Sequence, residues 1–386
     1  MVNIPSALPL SLPLDLGGVP VSPLLDAIAA GAPPLAVLAD FAAALPEPLR
    51  GPDNTPSLAT GASDASRAEA LSFTTLAAVP RLVDVLGPQA TGIVVYGESF
   101  AVEETYEDPA TGFHAVQLRS FSDGRAVFAL DDTNFESLAD VVADLDLARP
   151  QATSPAFAAM LADAETAVLA EGREVAFVGA SLGGALAQVA GYETAEAILA
   201  AAPDYAGRIE VFGVDPLGGR DAAESLNNGA LSPAVLARLD ALHVRTEGDI
   251  VSRASSHLGD TITFQAVDAE GTPLALTADE AHVNLGSLFT NLSSDALFSA
   301  GGRGDPGEIG GLALLANAFG PDLSEAFADA VRAGLIGPPP PVELRGSGAF
   351  DPTGRFFDLD ADTDGDVDIR ALLQGATPVA EGPLIA

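Results

Sequence analysis

The stretch VAFVGASLGGALAQ, residues 175–188, limits the fold more than any other part of the chain. A short apolar run of strand type ends in Gly179-Ala180-Ser181-Leu182-Gly183, and a helix-forming run follows at once. A strand that turns straight into a helix holds one residue in a strained backbone position, with its side chain exposed at the end of the sheet. Small residues on both sides let the backbone turn sharply and the helix pack close to neighbouring strands. Ser181 occupies the strained position and is the candidate nucleophile.

The segments around this turn read as an α/β protein. The runs IVVYGESFAVEETY, GFHAVQLRS and GRAVFAL predict successive strands, with turns at Asp108-Pro109 and Asp123-Gly124. Residues 135–147 and 154–171 predict helices. From there strands and helices alternate through VAFVG, IEVFGVD and ALHVRTE, which implies βαβ units and a mostly parallel sheet flanked by helices. Residues 1–66 read as a helical N-terminal extension and linker, with Ser22-Pro23 before a helix and a polar stretch at 50–66. Residues 67–336 form the main domain, opening with a helix over 67–86. The glycine-rich segment 301–321 is a candidate loop or lid. Four prolines, Pro338 to Pro341, begin a stiff linker, so that 337–386 becomes a small C-terminal acidic tail.

Composition narrows the partners. The chain has 386 residues, enough for one large domain with attachments or for two domains. It has no cysteine, which excludes disulfides and thiolate zinc sites but fixes no compartment. All 17 basic residues are arginine, and the net charge is −37. Such a surface repels nucleic acid and suits solubility in salty or Ca²⁺-rich surroundings. The start carries no basic segment before an apolar one, so a Sec signal peptide is not expected. No apolar run is long enough to span a bilayer.

A serine hydroxyl is a weak nucleophile and needs a base that is itself oriented by an acid. In α/β-hydrolases, which carry their serine on such a turn, the chain order is Ser, acid, His. Of the four histidines, His114 precedes the serine in a hairpin strand, and His243 lies within the strand ALHVRTE. His257 and His282 are left as candidate bases. Asp249, just past that strand, is the candidate acid, and Asp215, which ends the preceding strand, is the runner-up. Catalytic groups collect at the carboxyl ends of parallel strands.

Blocks in order along residues 92–290 resemble the class 3 lipases, a family of α/β-hydrolases. FVGASLGGALA resembles their nucleophile turn and following helix, and VFGVDPLGG resembles the next strand and its glycine-containing turn. HVRTEGDIVSR resembles the segment carrying the catalytic aspartate, which falls on Asp249. HLGDTITF resembles a later strand that begins with a non-catalytic histidine, here His257, and DEAHVNLGSLF places the catalytic histidine at His282. The resemblance therefore implies an α/β-hydrolase fold and a triad of Ser181, Asp249 and His282. It implies an oxyanion hole formed by the backbone N–H of Leu182 and by the loop after AVFAL, with Thr133 and Asn134 as candidates. The family's loop resembles Arg-Gly-Thr, whereas this chain has Asp131-Asp132-Thr133. Two carboxylates there would oppose a developing oxyanion unless they point away or bind a cation.

In the tail, FDLDADTDGDVDIRALL resembles one EF-hand-like half-repeat of a dockerin. Asp360, Asp362, Asp364, Asp366 and Asp368 alternate around Gly365 and offer the hard oxygen ligands that Ca²⁺ takes. Position twelve is Ala371, so the usual bidentate ligand is missing. The leading expectation is a serine carboxylic ester hydrolase acting on a small-molecule, lipid or polyester ester, with no cofactor in the chemistry. The alternatives are a non-catalytic, Ca²⁺-stabilised exported binding protein on a degenerate hydrolase scaffold, and an acyltransferase or peptidase on the same fold. Acidity, lack of cysteine and the tail suggest secretion without a Sec signal, with a cytoplasmic location as the alternative.

Overall fold

The computed structural model describes residues 98–132 and 146–264 continuously. It also describes segments 15–16, 19–20, 90–95 and 355–358, scattered positions between 27 and 83, and Ala281 and His282. The main sheet takes its strands in chain order as β1 (Ala90–Val95), β2 (Glu98–Asp108), β3 (Phe113–Ser120), β4 (Ala126–Leu130), β5 (Val175–Ala180), β6 (Ile209–Val214), β7 (Leu239–Thr246), β8 (Asp260–Phe264) and β9 (Arg355–Asp358). The spatial order is β8-β7-β6-β5-β4-β3-β2-β1-β9. From β4 to β8 every neighbouring pair is parallel. From β1 to β4 every pair is antiparallel. β9 lies parallel to β1 at the edge and falls within the segment that the sequence reading sets apart as a tail.

This is the mixed, mostly parallel α/β sheet that the alternation of strands and helices predicts. The run IVVYGESFAVEETY differs from expectation, since it forms two strands rather than one. Val95 pairs antiparallel with Glu98, so the chain reverses between these two strands. Residues of strand type lie on both sides of that reversal, so the local pattern does not show it. The expected turns are present. Asp108 accepts from Thr111 N and Gly112 N through its carbonyl and from Ala110 N through its side chain, and Gly124 turns with φ +80°.

The described helices are α1 (Arg149–Ala152), α2 (Pro155–Leu169), α3 (Ser181–Ala201), α4 (Arg220–Leu226) and α5 (Pro233–Leu236). α2 starts where Ser154 and Pro155 say it should: the Ser154 hydroxyl accepts from Phe157 N at 3.1 Å, and Pro155 takes the first helical position. α3 is buried along most of its length, from Ser181 to Ile198, and packs on β5 and β6. Its small residues make that approach possible; a Cβ on Gly191 would run into Val211. Beneath it, the facing residues Phe128 and Phe177 of β4 and β5 stack with ring centroids 5.2 Å apart. Among the described residues, no helix is long and apolar enough to cross a membrane.

The topology decides where functional side chains can meet. β4, β5, β6 and β7 run parallel and side by side, so Asp131, Ser181, Asp215 and the 247–249 turn all leave the sheet at one end.

Candidate active site

The turn after β5 is as tight as its sequence requires. Ser181 has φ +48°, a left-handed conformation that costs an L-residue roughly 1–2 kcal/mol. A Cβ on Gly179 would land on the Gly183 backbone, and one on Gly183 would land on the carbonyl oxygens of Leu130 and Asp131. Glycine at both positions is therefore steric, set by backbone crossing backbone. Leu217 N donates to Ser181 O at 3.0 Å and ties the turn to the segment after β6.

Ser181 meets His282 and Asp249 at this end of the sheet. Ser181 Oγ lies 2.8 Å from His282 Nε2, and His282 Nδ1 lies 3.0 Å from Asp249 Oδ2. A carboxylate can only accept, so Nδ1 carries the proton and Nε2 is left to accept from the serine hydroxyl. Asp249 is fully buried, and its other oxygen accepts from Val251 N at 2.9 Å and Ser252 N at 3.2 Å. Those donors open the short 3₁₀ turn Val251–Arg253, so the carboxylate satisfies the first two N–H groups of that turn. Ser181 is 9% and His282 6% exposed. Low exposure raises the strength of each contact relative to water.

The other histidines face elsewhere. His257 Nε2 donates to Ser252 O at 2.8 Å, bracing the turn that holds Asp249. β8 begins at Asp260, so His257 stands in the loop before the strand rather than opening it. His243 Nε2 donates to Leu258 O at 2.8 Å, and its ring lies 5.2 Å from that of His257. Burial is the main cause that pushes the His243 pKa down to about 4 and that of His257 down to about 3, helped in the latter by His243. The unfolded chain protonates both near pH 6.5. Unfolding therefore takes up protons below that value, and stability is present above it and lost as pH falls toward 4. Between pH 6.5 and 5 the pair should contribute a slope of roughly 2 kcal/mol per pH unit. Denaturant melts of His257→Gln across that range should lose about half of this slope; an unchanged slope would show that His257 does not hold its neutral form.

Asp131 follows β4, opposite the serine turn, and its side chain is engaged. Oδ1 accepts from Asp132 N at 2.9 Å, and Oδ2 pairs with His114 Nδ1 of β3 at 3.3 Å. Leu182 is buried in the first turn of α3, where a helix leaves N–H groups without intrahelical partners. Thr133 and Asn134 lie outside the described residues, as do Asp360, Asp362, Asp364, Asp366 and Asp368.

Gln188 is a residue that the sequence reading did not single out. It sits fully buried in α3, two turns after Ser181. Its Nε2 donates to Gly184 O and Leu217 O, both at 3.0 Å, and its Oε1 accepts from Gly219 N at 3.1 Å and Leu258 N at 2.8 Å. One side chain thus fastens the loops after β6 and before β8 to the helix that begins at Ser181. The available signal was an amide amid Ala, Leu, Val and Gly in an apolar helix.

A mostly parallel sheet flanked by helices, with a serine on the strand-to-helix turn of a central strand, is the architecture of the α/β-hydrolases. Solved structures similar to this chain include the Lip2 lipase from Yarrowia lipolytica, with 13% identity, a TM-score of 0.38, and coverage of 56% of this chain and 84% of that one. A triacylglycerol lipase from Penicillium expansum gives 13% identity and a TM-score of 0.36 over 58% of this chain and 90% of that one. A lipase from Rhizopus microsporus var. chinensis gives 18% and 0.33 over 54% and 75%. No protein-family model matches the chain, and no curated protein matches it either. Similarity this low transfers no residue roles; strand order and the serine turn carry the fold.

Proposed function

We propose that this protein is a serine carboxylic ester hydrolase of lipase or esterase type that works through an acyl-enzyme on Ser181. One observation carries the reading: the unbroken hydrogen-bond chain from Ser181 Oγ through His282 to the buried Asp249. His282 Nε2 takes the hydroxyl proton as Oγ attacks the ester carbonyl. Asp249 holds the imidazole with Nε2 facing the serine and stabilises the imidazolium. The imidazolium then gives its proton to the leaving alkoxide. Water, deprotonated by the same nitrogen, releases the acid and restores Ser181. Leu182 N–H, beside the nucleophile, is the first donor to the tetrahedral oxyanion, and such a donor supplies about 3 kcal/mol. Thr133 and Asn134 are our candidates for the second.

Pairing with His114 draws the Asp131 carboxylate toward β3. That supports the reading in spite of the acidic loop. The tail carries a separate proposal: Asp360, Asp362, Asp364, Asp366 and Asp368 hold Ca²⁺ weakly, outside the chemistry. The hydrolase reading is tested by labelling and turnover, and the calcium proposal by a Ca²⁺ titration of the intact protein followed by calorimetry. A fluorophosphonate probe should label Ser181 within minutes, and an acyl-length panel of p-nitrophenyl esters should be cleaved at similar rates with Ca²⁺ and with chelator. No labelling and no cleavage would favour a binding protein on a hydrolase scaffold. Acyl transfer to an added alcohol in preference to water would favour an acyltransferase.

A further inference from the structure

Asp215 is a second buried carboxyl next to the site, and the chemistry above does not use it. It is 2% exposed, directly follows β6, and has φ +41°, a strained position for a residue other than glycine. Strand pairing between β6 and β7 ends at Val214 and Val244. Asp215 carries the ladder further. Its N–H donates to Val244 O at 2.8 Å, and its Oδ1 then accepts from Thr246 N at 2.6 Å. The side chain thereby supplies an acceptor where the pairing has run out. Oδ2 lies 3.3 Å from Thr246 Oγ1.

Thr246 is the residue from which the acid turn departs, and its carbonyl accepts from Asp249 N at 3.2 Å. Two residues past Asp215, Leu217 N holds the carbonyl of Ser181. The segment 215–217 thus grips the nucleophile at one end and the root of the acid turn at the other. We propose that Asp215 is a positioning residue, a strut through Thr246 that sets the distance between the Asp249 turn and the Ser181 turn. The inference rests on the proposed serine-hydrolase reading and deepens it.

The charges around Asp215 agree with a strut rather than a second acid. Burial first, then the negative charge of Asp249, push the Asp215 carboxyl well above its usual range, against the pull of the Thr246 hydrogen bonds and of Arg245. A neutral carboxyl still accepts from Thr246 N through its carbonyl oxygen. Asparagine reproduces that form, accepting through Oδ1 and donating to Thr246 Oγ1 through Nδ2. Alanine removes both contacts.

The test compares Asp215→Asn, Asp215→Ala and Asp249→Asn with the wild type, reading kcat and KM on one p-nitrophenyl ester, the rate of fluorophosphonate labelling at Ser181, and thermal midpoints. Asp215→Asn should keep kcat and labelling within about threefold. Asp215→Ala should lose about 10–100-fold in kcat with KM within about twofold, as expected when reacting groups are misplaced by an ångström or less. Two results overturn the strut. One is Asp215→Ala turning over and labelling like the wild type. The other is Asp215→Asn losing as much as Asp249→Asn, which would make the Asp215 charge itself the orienting acid. If Asp215→Ala does not fold, Asp215→Asn decides alone, since its retention or loss of labelling separates neutral strut from charged acid. Failure of the serine-hydrolase reading looks different: the wild type itself would neither label nor turn over.

Discussion

Ser181→Ala should lower kcat/KM for ester cleavage by about 10⁶-fold, to the limit of detection in an ordinary assay. The hydroxyl is the atom of the turn that meets His282 Nε2, and the backbone contacts that shape the turn do not involve it. Folding should therefore survive, with an unchanged far-UV spectrum and a melting point within a few degrees. His282→Ala should cost about as much. The double variant should cost no more than either alone, because the two side chains act through one proton transfer. Asp249→Asn should lose about 10⁴-fold, since an amide oriented to donate would favour the wrong imidazole tautomer. Steady-state kinetics on one ester measure all four. Residual activity above about 1% in Ser181→Ala, or losses that simply multiply in the double variant, would mean that these side chains do not work as a unit.

Gln188→Leu destabilises the fold by about 3–5 kcal/mol, although it exchanges a polar side chain for an apolar one in an apolar helix. The amide satisfies Leu217 O, Gly219 N and Leu258 N in a fully buried setting. Leucine leaves all three without that partner, and each buried orphan costs about 1–3 kcal/mol. For a domain of this size the melting point should fall by roughly 10 °C. Activity should fall as well, because the loops so released carry Leu217, which holds Ser181, and the approach to His257, which braces the Asp249 turn. A loss below about 1 kcal/mol in a denaturant titration would show that the loops stand without Gln188.

The serine turn was legible because everything that makes it is local. A strand-type run, two glycines four residues apart and a helix-forming run are adjacent in the chain, and the steric demand at Gly179 and Gly183 follows from that adjacency. The parallel half of the sheet was legible for the same reason, each βα unit announcing itself by a change of period. The β1–β2 reversal was not, because strand-type residues run through the segment 93–106 and only the pairing of Val95 with Glu98 shows that the chain reverses. Gln188 was not legible either, since its worth comes from two loops that the sequence places 29 and 70 residues away.

The choice among carboxylates shows the division most clearly. Asp215 and Asp249 both follow parallel strands, and residue type and order admit either as the acid. Local chemistry alone established a strained serine turn on a mostly parallel sheet, because backbone sterics and hydrophobic period act between near neighbours. Which carboxyl faces His282 depends on atoms 33 residues apart coming within 3.0 Å. That was settled by the stacking of β5, β6 and β7 side by side, which puts Asp215 against Thr246 and leaves the turn beyond β7 to carry Asp249 to the imidazole.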